Sequence, residues 1–395
     1  MVIRFRKRSV IEWMFYIIVA ILPYSYLINE TILRNIDIGG LSGVSTFIGI
    51  FLIFCFFDSL IQSKKYLFRK SIYVYIVIFG ILNLIKIIYS NQSLDRIVSW
   101  IVANQYYIWI PFFVLSCSNT KLNYKKVVDI VCLNSIIICL ISLYSFFTNN
   151  YFGLVNNEIL LQYDIVGSPY IRMLSLFGSP LVAGTYFAIV LLLVHSGDFY
   201  KLIKYFLFLL NGICLLLTFS KGALIGLILG ILYYYLFVVK KNVKNGIKKA
   251  IFLLTMIVGG IYLIENSFYF WDEKEILQNV RITKWIAGIE EIRKHWIIGN
   301  DYRMQISSIN SFEYTLSDNS FLLSLGQYGI CFWVNVYFAY YFIPKRVKTF
   351  FKSHIYLIVV IGVFFLLYDF IQMYPSNYLS IILLFSYFNL YERKK

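Results

Sequence analysis

The residues most able to do chemistry are four cations, Arg172, Lys221, Arg281 and Lys284, and two carboxylates, Asp318 and Asp369. Each stands close to the edge of an apolar run. Arg172 lies in YIRMLSLFGSPLVAG, Lys221 in the four-residue interruption Phe219-Ser220-Lys221-Gly222, and Arg281 and Lys284 open an amphipathic segment. Asp318 heads an apolar helix and Asp369 lies near the end of another. Cations in such places suit a phosphate or pyrophosphate, and Arg grips phosphate oxygens with two parallel N–H donors. A carboxylate beside them can accept the proton of an attacking hydroxyl, a step worth roughly 10²–10⁴-fold in rate. Other chemistries find less support. The three histidines, His195, His295 and His354, are scattered, and there is no His-Glu-x-x-His, no Cys-x-x-Cys and no acidic run spaced for calcium, so no metal site and no cofactor is expected.

The elements that must position these groups are membrane helices. The chain has 395 residues, 60% hydrophobic and 14% charged, far from the balance of a soluble domain. The expected fold is all-α: a single polytopic bundle, 1–395, of about twelve spans of near 20 residues each. The expected spans begin with Val10–Ile28 and include Val127–Phe147, Leu176–His195, Tyr205–Thr218, Gly222–Val239, Asn319–Ile343 and Ile355–Phe370. The formal charge of +16 does not read as a nucleic-acid footprint, because the basic residues cluster in alternate short connections. With both termini cytoplasmic, the clusters at Arg4–Arg8, Lys64–Lys70, Lys121–Lys126, Lys201–Lys204, Lys240–Lys249, Lys345–Lys352 and Arg393–Lys395 all face the cytoplasm. That alternation follows the positive-inside rule and the attraction of basic residues to anionic lipids. No cleavable signal peptide is expected, since the basic start runs straight into a first span.

Two outside segments exceed a turn, 148–175 and the larger 265–317. In the larger, RITKWIAGIEEIRKHWIIGN places Ile282, Trp285, Ile286, Ile289, Ile292 and Trp296 at spacings of three and four, which predicts an amphipathic helix ending near Gly299. Such a helix packs on the bundle or lies in the interface with its tryptophans at headgroup level. Arg281 and Lys284 fall on its first turn, where free amides already favour an anion. Ser317-Asp318-Asn319 is well suited to cap the helix that follows. The cysteines, including Cys132, Cys139 and Cys214, read as small packing residues, and in-span polar residues such as Asn134 as interhelical hydrogen-bond partners.

Four blocks in this order resemble bacterial polysaccharide polymerases of the Wzy type, grouped with the O-antigen ligases. They are LFGSPLVAGTYFAI preceded by Arg172, LLLTFSKGALIGLILG, the Arg-x-x-x-Trp helix RITKWIAGIEEIRKHWIIGN, and SDNSFLLSLGQYGI, where nine residues separate Asn319 from Gly329. Asp318 stands where the ligases have a catalytic His, and Lys221 where Arg is usual. The resemblance implies an inverting, metal-independent glycosyl transfer on the outer face of the cytoplasmic membrane. The growing chain on undecaprenyl pyrophosphate would pass to a hydroxyl of the next lipid-linked repeat unit, building an O-antigen or capsule. It implies Asp318 as base, and Arg172, Lys221 and Arg281 as contacts to pyrophosphate or glycan; Lys284 and Asn319 beside them are further candidate contacts, and Asp369 is placed to pair with a cation. Lipid-linked oligosaccharides and membrane lipids are the implied partners, with a flippase and a chain-length regulator of the same pathway. A ligase joining finished glycan to another acceptor is the nearest alternative. A flippase is the alternative from another class, although the large loop has no counterpart in the other half of the chain, and transporters with paired halves tend to show matched segments.

Overall fold

The computed structural model describes residues 7–29, 124–152 and 171–238 continuously, with shorter pieces within 285–299, 305–315, 319–330 and 360–364 and a few single positions between 51 and 88. Helix α1 spans Lys7–Ile21 and runs through a 3-10 turn, Leu22–Tyr24, into α2, Ser25–Ile28. Pro23 accounts for the interruption, since it lacks the N–H that a helix interior requires. Then come α3, Tyr124–Thr148, α4, Pro180–Ser196, α5, Lys201–Leu217, and α6, Lys221–Tyr233, which continues as a π turn over Tyr234–Val238. Among the described residues one helix, Lys125–Thr148, is long and apolar enough to cross a membrane by length and composition alone.

The central element is α4. Ala183 and every residue from Tyr186 to Val194 are essentially free of solvent, as expected of a helix apolar all round. The helices around it bury polar residues and expose apolar ones. On α3, Leu133, Ile137, Leu140, Tyr144 and Phe147 form an exposed stripe at spacings of three and four. On its buried side Ser135 receives a 3.1 Å hydrogen bond from Asn211 Nδ2 of α5, and Cys139 Sγ donates to Asn211 Oδ1 at 3.5 Å. Asn134 Nδ2 donates to the Ala20 carbonyl of α1 at 2.7 Å. Polar groups between helices and apolar faces outward is the arrangement a lipid environment favours. Cys132, Cys139 and Cys214 are buried free thiols, as expected.

The contacts also fix helix direction. Tyr16 meets Lys126 and Ala20 meets Asn134, so α1 and α3 run parallel. Lys204 Nζ caps the end of α4 at the His195 and Gly197 carbonyls, while Gly184 at the other end packs on Thr218 and Ser220, so α4 and α5 are antiparallel. Leu192 meets Gly230 and His195 meets Tyr234 edge to face, so α4 and α6 are parallel. Gly226 meets Phe364 and Gly230 meets Val360, so the 360–364 helix is antiparallel to α6. These directions agree with the alternation expected from loop charge, for the spans they involve. The other expected spans lie mostly outside the described residues.

Gly222, Gly226 and Gly230 make a buried stripe on α6 at four-residue spacing. A methyl placed on Gly226 would lie 2.5 Å from Phe364 Cε1, and one on Gly230 would meet Val360. Small residues there allow close helix approach, the usual means of association where lipid removes the hydrophobic drive.

Among the described residues, 305–315 depart from the all-α expectation. Strands β1, Gln305–Ile309, and β2, Phe312–Thr315, form an antiparallel hairpin pairing Gln305 with Thr315 and Ile306 with Tyr314, irregular near the turn. QISSI and FEYT around a two-residue Asn-Ser link carry that signal, being rich in β-branched and aromatic residues. Beyond it begins the expected span Asn319–Ile343, described as far as Ile330 and broken at Gly329. Asn319 Oδ1 accepts 3.0 Å bonds from the amides of Phe321 and Leu322, which makes Asn319 the N-cap. Gly329, at φ +60°, ends that first helical piece, its N–H bonding the Leu325 carbonyl at 2.8 Å. A side chain at Gly329 would also run into the Ile297 carbonyl.

Gly226→Leu should destabilise the fold by about 1–3 kcal/mol through overpacking, seen as a lower melting temperature in detergent, and Phe364→Ala in the same chain should recover part of it. Asn319→Ala should lower stability by about 1 kcal/mol, while Asn319→Asp, which keeps an acceptor, should stay near wild type. Equal losses in both Asn319 variants would contradict the cap.

Candidate functional site

The site forms where the last turn of α5 meets the first turn of α6, at the end of the bundle that the loop charges assign to the outside. Thr218 closes α5, with its hydroxyl donating to the Leu215 carbonyl at 2.6 Å. Phe219 then adopts a left-handed backbone, φ +50°. That region is uncommon for a bulky side chain and costs on the order of 1–3 kcal/mol, so surrounding structure must hold it. Ser220 is buried, and its amide bonds Thr218 Oγ1 at 3.3 Å. Lys221 begins α6 and is exposed. It therefore stands on a helix N-terminus, where the backbone field favours an anion.

What holds the turn comes from the segment leading into α4. Arg172 Nε donates to the Thr218 carbonyl at 3.0 Å and Nη2 to the Phe219 carbonyl at 3.1 Å. The next amide, Met173 N–H, bonds the Leu217 carbonyl at 2.9 Å. These oxygens end α5, where a cation is favoured by the helix dipole. Bonds from a charged donor are worth roughly 1.5–3 kcal/mol each, which is enough to offset the strain at Phe219. From below, Gly184 lets α4 approach so closely that a methyl there would be 2.5 Å from Ser220 Cβ. Further into the same end, Ser142 and Ser175 share a 2.6 Å hydroxyl contact, and Ser175 has φ +57°. Burial pushes the Tyr151 phenol in this region up to about 12, so at neutral pH it stays protonated and is not a base.

A second assembly joins the loop helix to the Asn319 helix. Trp285, Ile286, Gly288, Ile289, Ile292 and Arg293 are helical, as the spacing predicts. The apolar residues divide between two faces: Gly288 and Ile292 are buried, whereas Ile286, Ile289, Trp296 and Ile297 are exposed. At the helix end the Ile330 amide donates to the Trp296 carbonyl at 2.9 Å, directly after the Gly329 turn that packs on Ile297 and Gly299.

The structure thus brings Arg172 together with the Lys221 turn, and the end of the loop helix together with the end of the Asn319 helix. Asn319 is 4% exposed and its side-chain oxygen accepts from the backbone, so capping is its observed work. Arg281, Lys284, Asp318 and Asp369 lie outside the described residues. Sequence reasoning missed the partners of Arg172, because backbone carbonyls carry no residue-type signal. It also missed Gly184, whose place in the small-residue run Val182-Ala183-Gly184 was the available cue.

No curated protein matches the chain. The stretch from α5 to just past Ile330 contains the Lys221 turn, the loop helix and the Asn319–Gly329 segment, but not Arg172. Over that stretch, residues 206–331, the chain is similar to the family whose model is described as O-antigen ligase.

Proposed function

We propose that the protein polymerises lipid-linked oligosaccharide repeat units into a surface polysaccharide on the outer face of the cytoplasmic membrane. The observation that carries this reading is the Lys221 turn. It is a cation on a helix N-terminus, held rigidly at the bundle end assigned to the outside, within the stretch that matches the family.

In this reading Lys221, Arg281 and Lys284 hold the pyrophosphate of an undecaprenyl-linked glycan and offset its charge as it leaves. An acceptor hydroxyl attacks the anomeric carbon from the opposite face. The new glycosidic C–O bond forms as the bond to pyrophosphate breaks, the configuration inverts, and the proton passes to the Asp318 carboxylate. The protein cations supply the electrostatic work, without a metal. Asp369 pairs with a cation of the site. Because Asn319 performs the capping itself, Asp318 is not needed for that task. The exposed Ile286, Ile289 and Trp296 suit a helix lying at the outer interface, close to the lipid of the substrate. A flippase and a chain-length regulator would act with it in the same pathway, and both termini would be cytoplasmic. The description of the matching family favours one second reading, a ligase that moves finished glycan to another acceptor.

Asp318→Asn should leave a folded, inserted protein that no longer elongates, with a rate lower by roughly 10²–10⁴-fold and single repeat units left on the lipid. Normal polymer from that variant would remove the base. Arg281→Ala should weaken binding of undecaprenyl pyrophosphate by roughly ten- to a hundredfold, the loss expected for a charged hydrogen bond. Unchanged binding, measured by titration in nanodiscs, would remove the loop helix from the site.

A further inference from the structure

We propose that Arg172 is a positioning residue: it sets the Phe219–Ser220–Lys221 turn for substrate and does not meet the pyrophosphate itself. This rests on the reading that Lys221 contacts the pyrophosphate. Arg172 is half-buried, and two of its guanidinium nitrogens are directed at successive carbonyls, Thr218 and Phe219, of the turn that ends in Lys221. The Met173 amide adds a third bond to the same strand of carbonyls at Leu217. The residue between the clamp and Lys221 is Ser220, buried against Gly184, so the turn is fixed from two sides. Phe219 at φ +50° is the element the clamp keeps from relaxing. Without the guanidinium, Phe219 can return to a common backbone region and the start of α6 turns with it, moving the Lys221 ammonium.

A double-mutant cycle with the full-length protein in nanodiscs tests this, using undecaprenyl pyrophosphate as probe and a melting curve to show that each variant is folded. Lys221→Ala and Arg172→Ala should each weaken binding. The double variant should bind within about twofold of Lys221→Ala alone, since a residue acting through Lys221 has nothing left to act on. Arg172→Gln keeps a neutral donor for the carbonyls and should bring binding back to within about fivefold of wild type. A double variant weaker than Lys221→Ala by the full Arg172→Ala factor would overturn the positioning role, as would a Gln variant as poor as Ala. Binding unaffected by Lys221→Ala would overturn the reading of Lys221, and this inference with it.

Discussion

The end of the bundle where α5 meets α6 depends on how the carbonyls that finish α5 are satisfied. A helix leaves its last carbonyls without intrahelical partners, and near a membrane little water is at hand to replace them. Here the segment before α4 supplies the donors: Met173 N–H for Leu217, and the Arg172 guanidinium for Thr218 and Phe219. The next helix can then begin after a three-residue turn, despite a left-handed Phe219. The position of Lys221, which opens α6, follows from that bond set.

Close approach of helices is the second constraint, and glycine meets it. Gly184 admits the turn against α4, and Gly226 and Gly230 admit the 360–364 helix against α6. With these contacts in place, α4 is surrounded and the helix directions follow. The large loop is then fastened at both ends of one short unit. The Asn319 cap starts it, and the Gly329 turn, bonded through Ile330 to Trp296, returns it to the loop helix. A catalytic group carried just before Asn319 would thus sit beside an anchored element.

Much of this was legible in the sequence wherever the signal is periodic or electrostatic. The apolar runs anticipated α1, α3, α4, α5 and α6 to within a few residues, and loop charge anticipated their alternation, because both are set by transfer of residues between water and lipid. Arg172 and Lys221 were singled out as charged groups in apolar surroundings, and they do meet at one turn. What was not legible depends on backbone geometry. The bonds from Arg172 to the Thr218 and Phe219 carbonyls could not be read from residue types. The Ser317-Asp318-Asn319 start was legible as a cap, but not that Asn319 is the residue that fills it. Which of the stripe's residues turn inward was also not legible: Ile292 is buried with Gly288, while Ile286, Ile289 and Trp296 are exposed, as an interfacial helix would have them. The β1–β2 hairpin falls outside the all-α expectation because its strands are short and their signal is weak beside long apolar runs.

The account joins a lipid-linked pyrophosphate, an outside cation turn and a carboxylate into one reaction, elongation of a glycan on its carrier. It is tested most directly by deleting the gene and analysing the glycans that remain on the lipid. The account predicts single repeat units accumulating on the outer face of the cytoplasmic membrane. Repeat units trapped on the inner face, or long chains complete but never transferred, would contradict it.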